Sequence, residues 1–226
     1  MHVLLVEPEE ALRRELHQFL RRARYTVEPA ATYAAAADQL ARRPYDFVLL
    51  DQGPPDGGGL AFLREAARRA DQLASFIVLT HSDALEDRLR GFASGADDCL
   101  PKTVALAELE HRMQAIVRRR FGLKHSEISF GAGFVMDIAV RTLRCGLRAV
   151  PLSQRQFDLL YYLLLHRGQA LTRQQLNAHL RGPAPAQKCA SNYIDVHIKN
   201  VRKLLAGFAP ADFLETVHGI GYRATA

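Results

Sequence analysis

"IVLTHSDALEDRLRGFASGADDCLPK", residues 77–102, contains an apolar, branched run that stops at Thr80 and a shorter run, "DDCL" (97–100), that leads to Lys102. Runs of this length with no polar alternation suit strands covered on both faces. The same form recurs toward the N-terminus: "HVLLV" (2–6) runs into Glu7, "FVLL" (47–50) runs into Asp51, and "TVEP" (26–29) is a weaker candidate. Helical stretches lie between them, such as Ala11–Arg22 with Leu12, Leu16, Phe19 and Leu20 at helical spacing. Alternation of this kind predicts a parallel sheet with right-handed crossovers, whose functional groups gather at the carboxyl ends of the strands.

Read in that frame, the strand ends deliver Glu7, Asp51, Thr80 and Lys102 to one crevice. Carboxylates can hold Mg²⁺, a hard ion that prefers oxygen, while a hydroxyl and an ammonium can bind the oxygens of a phosphoryl group. Strand-end Asp and Thr are common caps when taken singly; the combination is what points to phosphoryl chemistry.

The 226 residues suffice for two domains of about 100 residues, or one larger one. Charge favours two. Residues 1–117 hold 14 Lys and Arg against 18 Asp and Glu, residues 121–226 hold 13 against 6, and Arg118, Arg119 and Arg120 lie between. A basic second half suggests a polyanionic partner for that half alone. No apolar run approaches the roughly 20 residues that span a bilayer, and no secretory signal opens the chain, so a cytoplasmic protein with no membrane partner is expected. Cys99, Cys145 and Cys189 are odd in number, widely spaced and show no C-x-x-C, so neither a disulfide framework nor a zinc site is suggested.

In the second half, "EISF", "GFVMD", "RTLRC" and "LRAVPL" predict an antiparallel sheet with turns at Gly131–Gly133 and Cys145-Gly146. Ser153 then caps a helix through about His166, a second helix begins near Thr172, and "RGPAPAQKCAS" (181–191) reads as loop. A third helix, about Ala190–Leu205, places Ile194, Ile198, Val201 and Leu205 in one narrow stripe. Asn192, Val196, Lys199 and Lys203 lie opposite, with Asn200 and Arg202 on the flanks. Such a face suits a DNA major groove: Asn can pair with adenine, Val can touch a thymine methyl, and Lys can reach guanine or phosphate. "FLETVHGIGYRATA" (213–226) reads as a hairpin turning at Gly219 and Gly221.

"YDFVLLDQGPPDGGGL", the 77–102 stretch, "SNYIDVHIKNVRKLL" and the terminal hairpin together resemble response regulators of the OmpR/PhoB family over essentially the whole chain. That resemblance implies a five-stranded, doubly wound, flavodoxin-like receiver domain over 1–119, a linker over 120–126, and an α+β winged-helix DNA-binding domain over 127–226. It makes Asp51 the phospho-acceptor, Thr80 and Lys102 the phosphoryl-binding pair, and Glu7, Asp51 and the Gly53 carbonyl the Mg²⁺ ligands. His218, Tyr222 and Arg223 become wing contacts to DNA. It further implies a homodimer through the receiver's fourth helix, fifth strand and fifth helix, by way of Arg88 with Glu108, Asp98 with Arg112, and Asp97 with Arg119. A sensor histidine kinase and RNA polymerase are the implied protein partners.

The chain departs from the family at several of these positions. The family's second strand-end acid, a direct metal ligand, is here Pro8, which has no carboxylate, so Mg²⁺ binding is expected to be weakened. Cys99 replaces the aromatic residue that moves on phosphorylation, Lys102 precedes Thr103 rather than proline, Pro54 takes a common leucine position, and His81 stands where a small residue is preferred. The expectation is a degenerate receiver acting largely without phosphorylation, in a regulator that is not an enzyme; the alternative is a conventional Mg²⁺-dependent regulator activated at Asp51. A phosphotransferase of the haloacid-dehalogenase type would need its nucleophilic Asp on the first strand, where Glu7-Pro8-Glu9 stands. A redox sensor at Cys99 would need an accessible thiol of lowered pKa.

Overall fold

The computed structural model describes residues 1–53, 58–68, 74–120, 122, 126–181 and 192–225. Pro54, residues 121 and 123–125 of the expected linker, and most of the 181–191 loop with Cys189 lie outside the described residues. The chain divides into two compact units, Met1–Ile116 and Val117–Ala226.

In the first unit the branched apolar runs become the strands β1 (His2–Val6), β2 (Thr26–Ala30), β3 (Phe47–Asp51), β4 (Ser75–Thr80) and β5 (Asp98–Pro101). They form one parallel sheet in the order β2-β1-β3-β4-β5. Helices α1 (Glu10–Arg22), α2 (Tyr33–Arg42), α3 (Gly58–Ala67), α4 (Leu85–Ala93) and α5 (Leu106–Arg120) alternate with them. β1, β3 and β4 are buried along their whole length, which explains why their residues do not alternate in polarity. Leu4, Val6, Val48, Leu50, Phe76 and Val78 pack with Ala36 and Leu40 of α2 and with Leu63 and Ala66 of α3. Successive side chains of a strand point to opposite faces, so the equally buried Val3, Leu5, Leu49, Ile77 and Leu79 serve the other layer.

The parallel arrangement brings every strand out at the same edge. Glu7 follows β1, Asp51 ends β3, Thr80 ends β4 and Lys102 follows β5, so four distant segments meet there.

In the second unit β6 (Glu127–Phe130), β7 (Phe134–Asp137), β8 (Thr142–Cys145) and β9 (Arg148–Val150) form an antiparallel meander. Helix α6 (Gln154–Leu165) starts at Ser153, whose hydroxyl accepts from the Gln156 N–H while the Gln156 side chain accepts from the Ser153 N–H. Helices α7 (Arg173–Arg181) and α8 (Tyr193–Ala206) follow. The described part of α8 starts at Tyr193 rather than near 190, and residues 190 and 191 lie outside the described set. A three-stranded sheet in the order β10-β12-β11 is built from β10 (Leu171–Thr172), β11 (Leu214–Val217) and β12 (Gly221–Ala224). Gly221 is required at the β10 contact, because a Cβ there would lie 2.1 Å from the Leu171 carbonyl oxygen. Phe213 packs edge-on against Phe130, with ring centroids 5.0 Å apart, and fastens the two sheets of this unit together. Among the described residues no helix is long and apolar enough to cross a membrane.

Candidate functional sites

At the carboxyl edge of the receiver sheet the Glu7 carboxylate is wholly buried. Its Oε1 accepts from the Glu9 N–H at 3.0 Å and from Lys102 Nζ at 3.0 Å, and Oε2 stands 3.0 Å from the same ammonium. Lys102 Nζ is also 3.0 Å from Asp51 Oδ1, which His81 Nε2 approaches to 3.3 Å. Burial raises the Glu7 pKa, and the Glu9 N–H and Lys102 offset that only in part. For Lys102, burial acts downward, but hydrogen bonds to Asp51 and Glu7 outweigh it and the ammonium is stabilised.

Thr80 is buried, and its hydroxyl donates to the Ser82 carbonyl at 2.7 Å, with the Leu100 carbonyl at 3.3 Å. Gly53 follows Asp51 by two residues in the left-handed region, at φ 70°. Two further side chains complete the edge. Tyr33, the first residue of α2, donates to the Asp51 carbonyl at 3.2 Å; burial, with the charges of Asp51 and Glu7, pushes its phenol up to about 12. Arg13 of α1 donates to the carbonyls of Glu7 at 2.7 Å and Pro8 at 2.9 Å and so holds the turn that carries the proline. Neither was found from sequence, although Tyr33 lies just past the end of β2, where the strand-end rule points.

Among the described residues, Glu7 and Asp51 bring two carboxylates to this edge, and Pro8 adds none from its side chain. Both carboxylates already face one ammonium. Among the described residues no group of three or more His, Cys, Asp or Glu side chains is arranged to hold a metal ion. Mg²⁺ is commonly bound through one or two carboxylates with waters completing its octahedron, so Glu7, Asp51 and the Gly53 carbonyl are the residues that would hold it here.

Cys99 lies in β5 and is 1% exposed. A Cβ built on Gly91 of α4 would come within 2.4 Å of its sulfur, so thiol and glycine fill one space. Burial, with the charge of Asp98, pushes the thiol up to about 11. The conditions for a reactive redox cysteine are therefore not met. On the same flank Arg112 reaches both Glu108, at 2.8 Å, and Asp98, at 3.4 Å, within one chain. Asp97 Oδ2 accepts from the Phe76 N–H at 2.8 Å. Arg88 belongs to α4 and Arg119 to α5. The exposed face of α4 also carries Leu85 (69% exposed), Leu89 (56%) and Phe92 (42%), a stripe at helical spacing.

In the second unit, Ile194, Ile198, Val201 and Leu205 of α8 are buried, and Asn192, Val196, Lys199, Asn200 and Lys203 are exposed. Three residues expected to contact DNA also make contacts within the fold. Arg202 donates to the Leu214 carbonyl, through Nε at 3.1 Å and Nη2 at 2.5 Å, and to Thr216 Oγ1 at 3.1 Å. Tyr222 is buried, with its hydroxyl on Asp195 Oδ1 at 2.5 Å. Arg223 is half-exposed and pairs at 2.7 Å with Glu215, its neighbour across β11 and β12. His218 is exposed in the connecting turn.

Comparison with known proteins agrees with both halves. Residues 3–114 match the model "Response regulator receiver domain", and residues 146–224 match "Transcriptional regulatory protein, C terminal". The chain is 33% identical to the transcriptional regulatory protein QseB of Haemophilus influenzae, covering 98% of this chain and 97% of that protein. It is 34% identical to the response regulator protein PmrA of Pseudomonas aeruginosa, over 98% and 97% of the two chains. With the phosphate regulon transcriptional regulatory protein PhoB of Escherichia coli K12 the identity is 29%, over 98% and 96%. A parallel sheet with an acid, hydroxyl and amine edge, followed by a winged helix, thus places the chain in the OmpR/PhoB family of response regulators, with a receiver domain and a DNA-binding domain.

Proposed function

We propose that this response regulator binds specific double-stranded DNA as a homodimer in the cytoplasm, and that its receiver works largely without phosphorylation of Asp51. The observation that carries this reading is the Lys102 ammonium at 3.0 Å from both Glu7 and Asp51, beside a proline that supplies no carboxylate. An internal cation neutralises the acids that a divalent ion would otherwise neutralise, without the geometry such an ion requires. Mg²⁺ binding is accordingly weak. His81 adds a second group against the Asp51 oxygen that would accept the phosphoryl group or share a metal.

Assembly then falls to the receiver flank. Arg88, Asp97, Asp98, Glu108, Arg112 and Arg119 supply charges of both signs, each exposed pair contributing about 0–1 kcal/mol and setting register more than strength. Covering Leu85, Leu89 and Phe92 contributes more, up to about 1.5–3 kcal/mol for a side chain that becomes fully buried. DNA is read by Asn192, Val196, Lys199, Asn200 and Lys203, with His218 at the wing, while Arg202, Tyr222 and Arg223 hold the shape of that surface. RNA polymerase is the protein partner on promoter DNA, the protein acts as a regulator rather than an enzyme, and a sensor histidine kinase has no obligatory phosphoryl-donor role.

The test is intact-mass spectrometry after incubation with acetyl phosphate and Mg²⁺, with Asp51→Ala as control. Absence of an adduct, together with intact sequence-specific DNA binding, supports the reading. An adduct on the wild type alone would restore the conventional Mg²⁺-dependent switch at Asp51.

A further inference from the structure

An acid sits on the helix that faces a polyanion. Asp195 is one residue from the exposed Val196 of α8 and three from Asn192, and its side chain is 36% exposed. Electrostatics alone makes a carboxylate there unfavourable for binding phosphates. Its contacts are what offset that cost. Asp195 Oδ1 accepts from the Tyr222 hydroxyl at 2.5 Å and from Arg173 Nε at 2.9 Å, and the Arg173 guanidinium lies over the Tyr222 ring at 5.1 Å. Tyr222 belongs to β12, and Arg173 opens α7 directly after β10, whose Leu171 pairs with Tyr222. A single oxygen therefore joins three elements. Seven residues along α8, about two turns, Arg202 makes the matching connection to β11 through the Leu214 carbonyl and Thr216. Both strands of the wing are thus tied to α8, and the Arg202 guanidinium also lies 5.6 Å from the centre of the Tyr222 ring.

Resting on the reading of α8 and the wing as the DNA-contacting elements, we propose that Asp195 is a positioning residue that fixes the wing relative to α8. It does so by holding Tyr222 and Arg173, so that the turn carrying His218, Gly219 and Ile220 meets DNA in register with Lys199 and Lys203. Fixed spacing between two contact elements sharpens discrimination between DNA sequences more than it strengthens contact with any one phosphate. Electrostatics and positioning then predict opposite signs when the carboxylate is removed.

The probes are a duplex recovered by the wild-type full-length protein from a random-sequence pool and a shuffled duplex of the same composition. Asp195→Ala is expected to lose about tenfold in affinity for the selected duplex while binding the shuffled duplex as well as or better than wild type. Tyr222→Phe removes the same hydrogen bond without changing the charge and is expected to shift the ratio in the same direction. It keeps the test open should Asp195→Ala fail to fold. Wild-type or tighter binding of the selected duplex by folded Asp195→Ala, or by Tyr222→Phe, overturns the proposal. Lys199→Ala runs beside them: if it weakens binding while the other two do not, only the tether fails, and if it too has no effect, the reading of α8 as the groove element fails with it.

Discussion

The Lys102 ammonium stands 3.0 Å from both carboxylate oxygens of Glu7, a residue 95 positions away in the chain. The parallel sheet creates that meeting, because β1 and β5 end at the same edge with β3 and β4 between them. Where the family pattern has a second acid, Pro8 adds no carboxylate, and the ammonium is shared between Glu7 and Asp51.

Pro8→Asp is expected to raise Mg²⁺ affinity by about tenfold or more, because a hard divalent ion is held largely by carboxylate charge. Isothermal titration with MgCl₂ checks this. An unchanged affinity would assign the weakness to the Lys102 bridge or to the turn held by Arg13 rather than to the missing ligand.

Lys199→Ala and Lys203→Ala are each expected to weaken DNA binding and to reduce the slope of log affinity against log salt by about 1 if the ammonium meets a phosphate. Fluorescence anisotropy across a salt series measures it. Neither lysine has a packing role in α8, so melting temperatures should stay near wild type.

Cys99 is expected to resist alkylation in the native protein. With its pKa pushed from 9.0 to about 11, its thiolate fraction at neutral pH is about a hundredfold below that of an ordinary thiol, before burial slows access further. Its reaction with iodoacetamide should rise only as pH climbs toward that value; peptide mass mapping distinguishes it from the more accessible Cys145. Cys99→Tyr, which restores an aromatic residue, should cost about 1–3 kcal/mol by overpacking against Gly91.

Leu89→Asp is expected to leave the folded receiver within about 0.5 kcal/mol of wild-type stability, because the side chain is 56% exposed. It should shift sedimentation toward monomer. A dimer of unchanged strength would remove α4 from the interface.

β1, β3 and β4 were legible because they are buried on both faces and read as continuous branched runs, whereas the more exposed β2 gave a weaker signal. The Glu7, Asp51, Thr80 and Lys102 edge followed from the rule that parallel strands end together. The core stripe of α8 followed from its spacing. The engagements of Arg202, Tyr222 and Asp195 were not legible, since helical position says which way a side chain leaves the helix and not which strand of a distant hairpin it meets. Arg223 is an intermediate case. Glu215 and Arg223 stand at equal distances from Gly219, so a hairpin centred on that glycine would have paired them, as the observed register does. His81 drew attention as a bulky residue, but its approach to Asp51 depends on the path of the β4–α4 connection, which no periodicity records.

The central place of β12 governs the order in which the DNA-binding unit can be assembled. β10 and β11 each pair with β12 and not with one another: Tyr222 faces Leu171 on one side and Thr216 on the other, and Gly221 faces Thr172 and Val217. Closing that sheet spans a loop of some fifty residues, from Leu171 to Tyr222, a slow, non-local step of the kind that limits folding rates. During synthesis α8 emerges before the strand that anchors it, so a nascent or truncated chain lacking β12 holds the recognition helix without the wing that orients it.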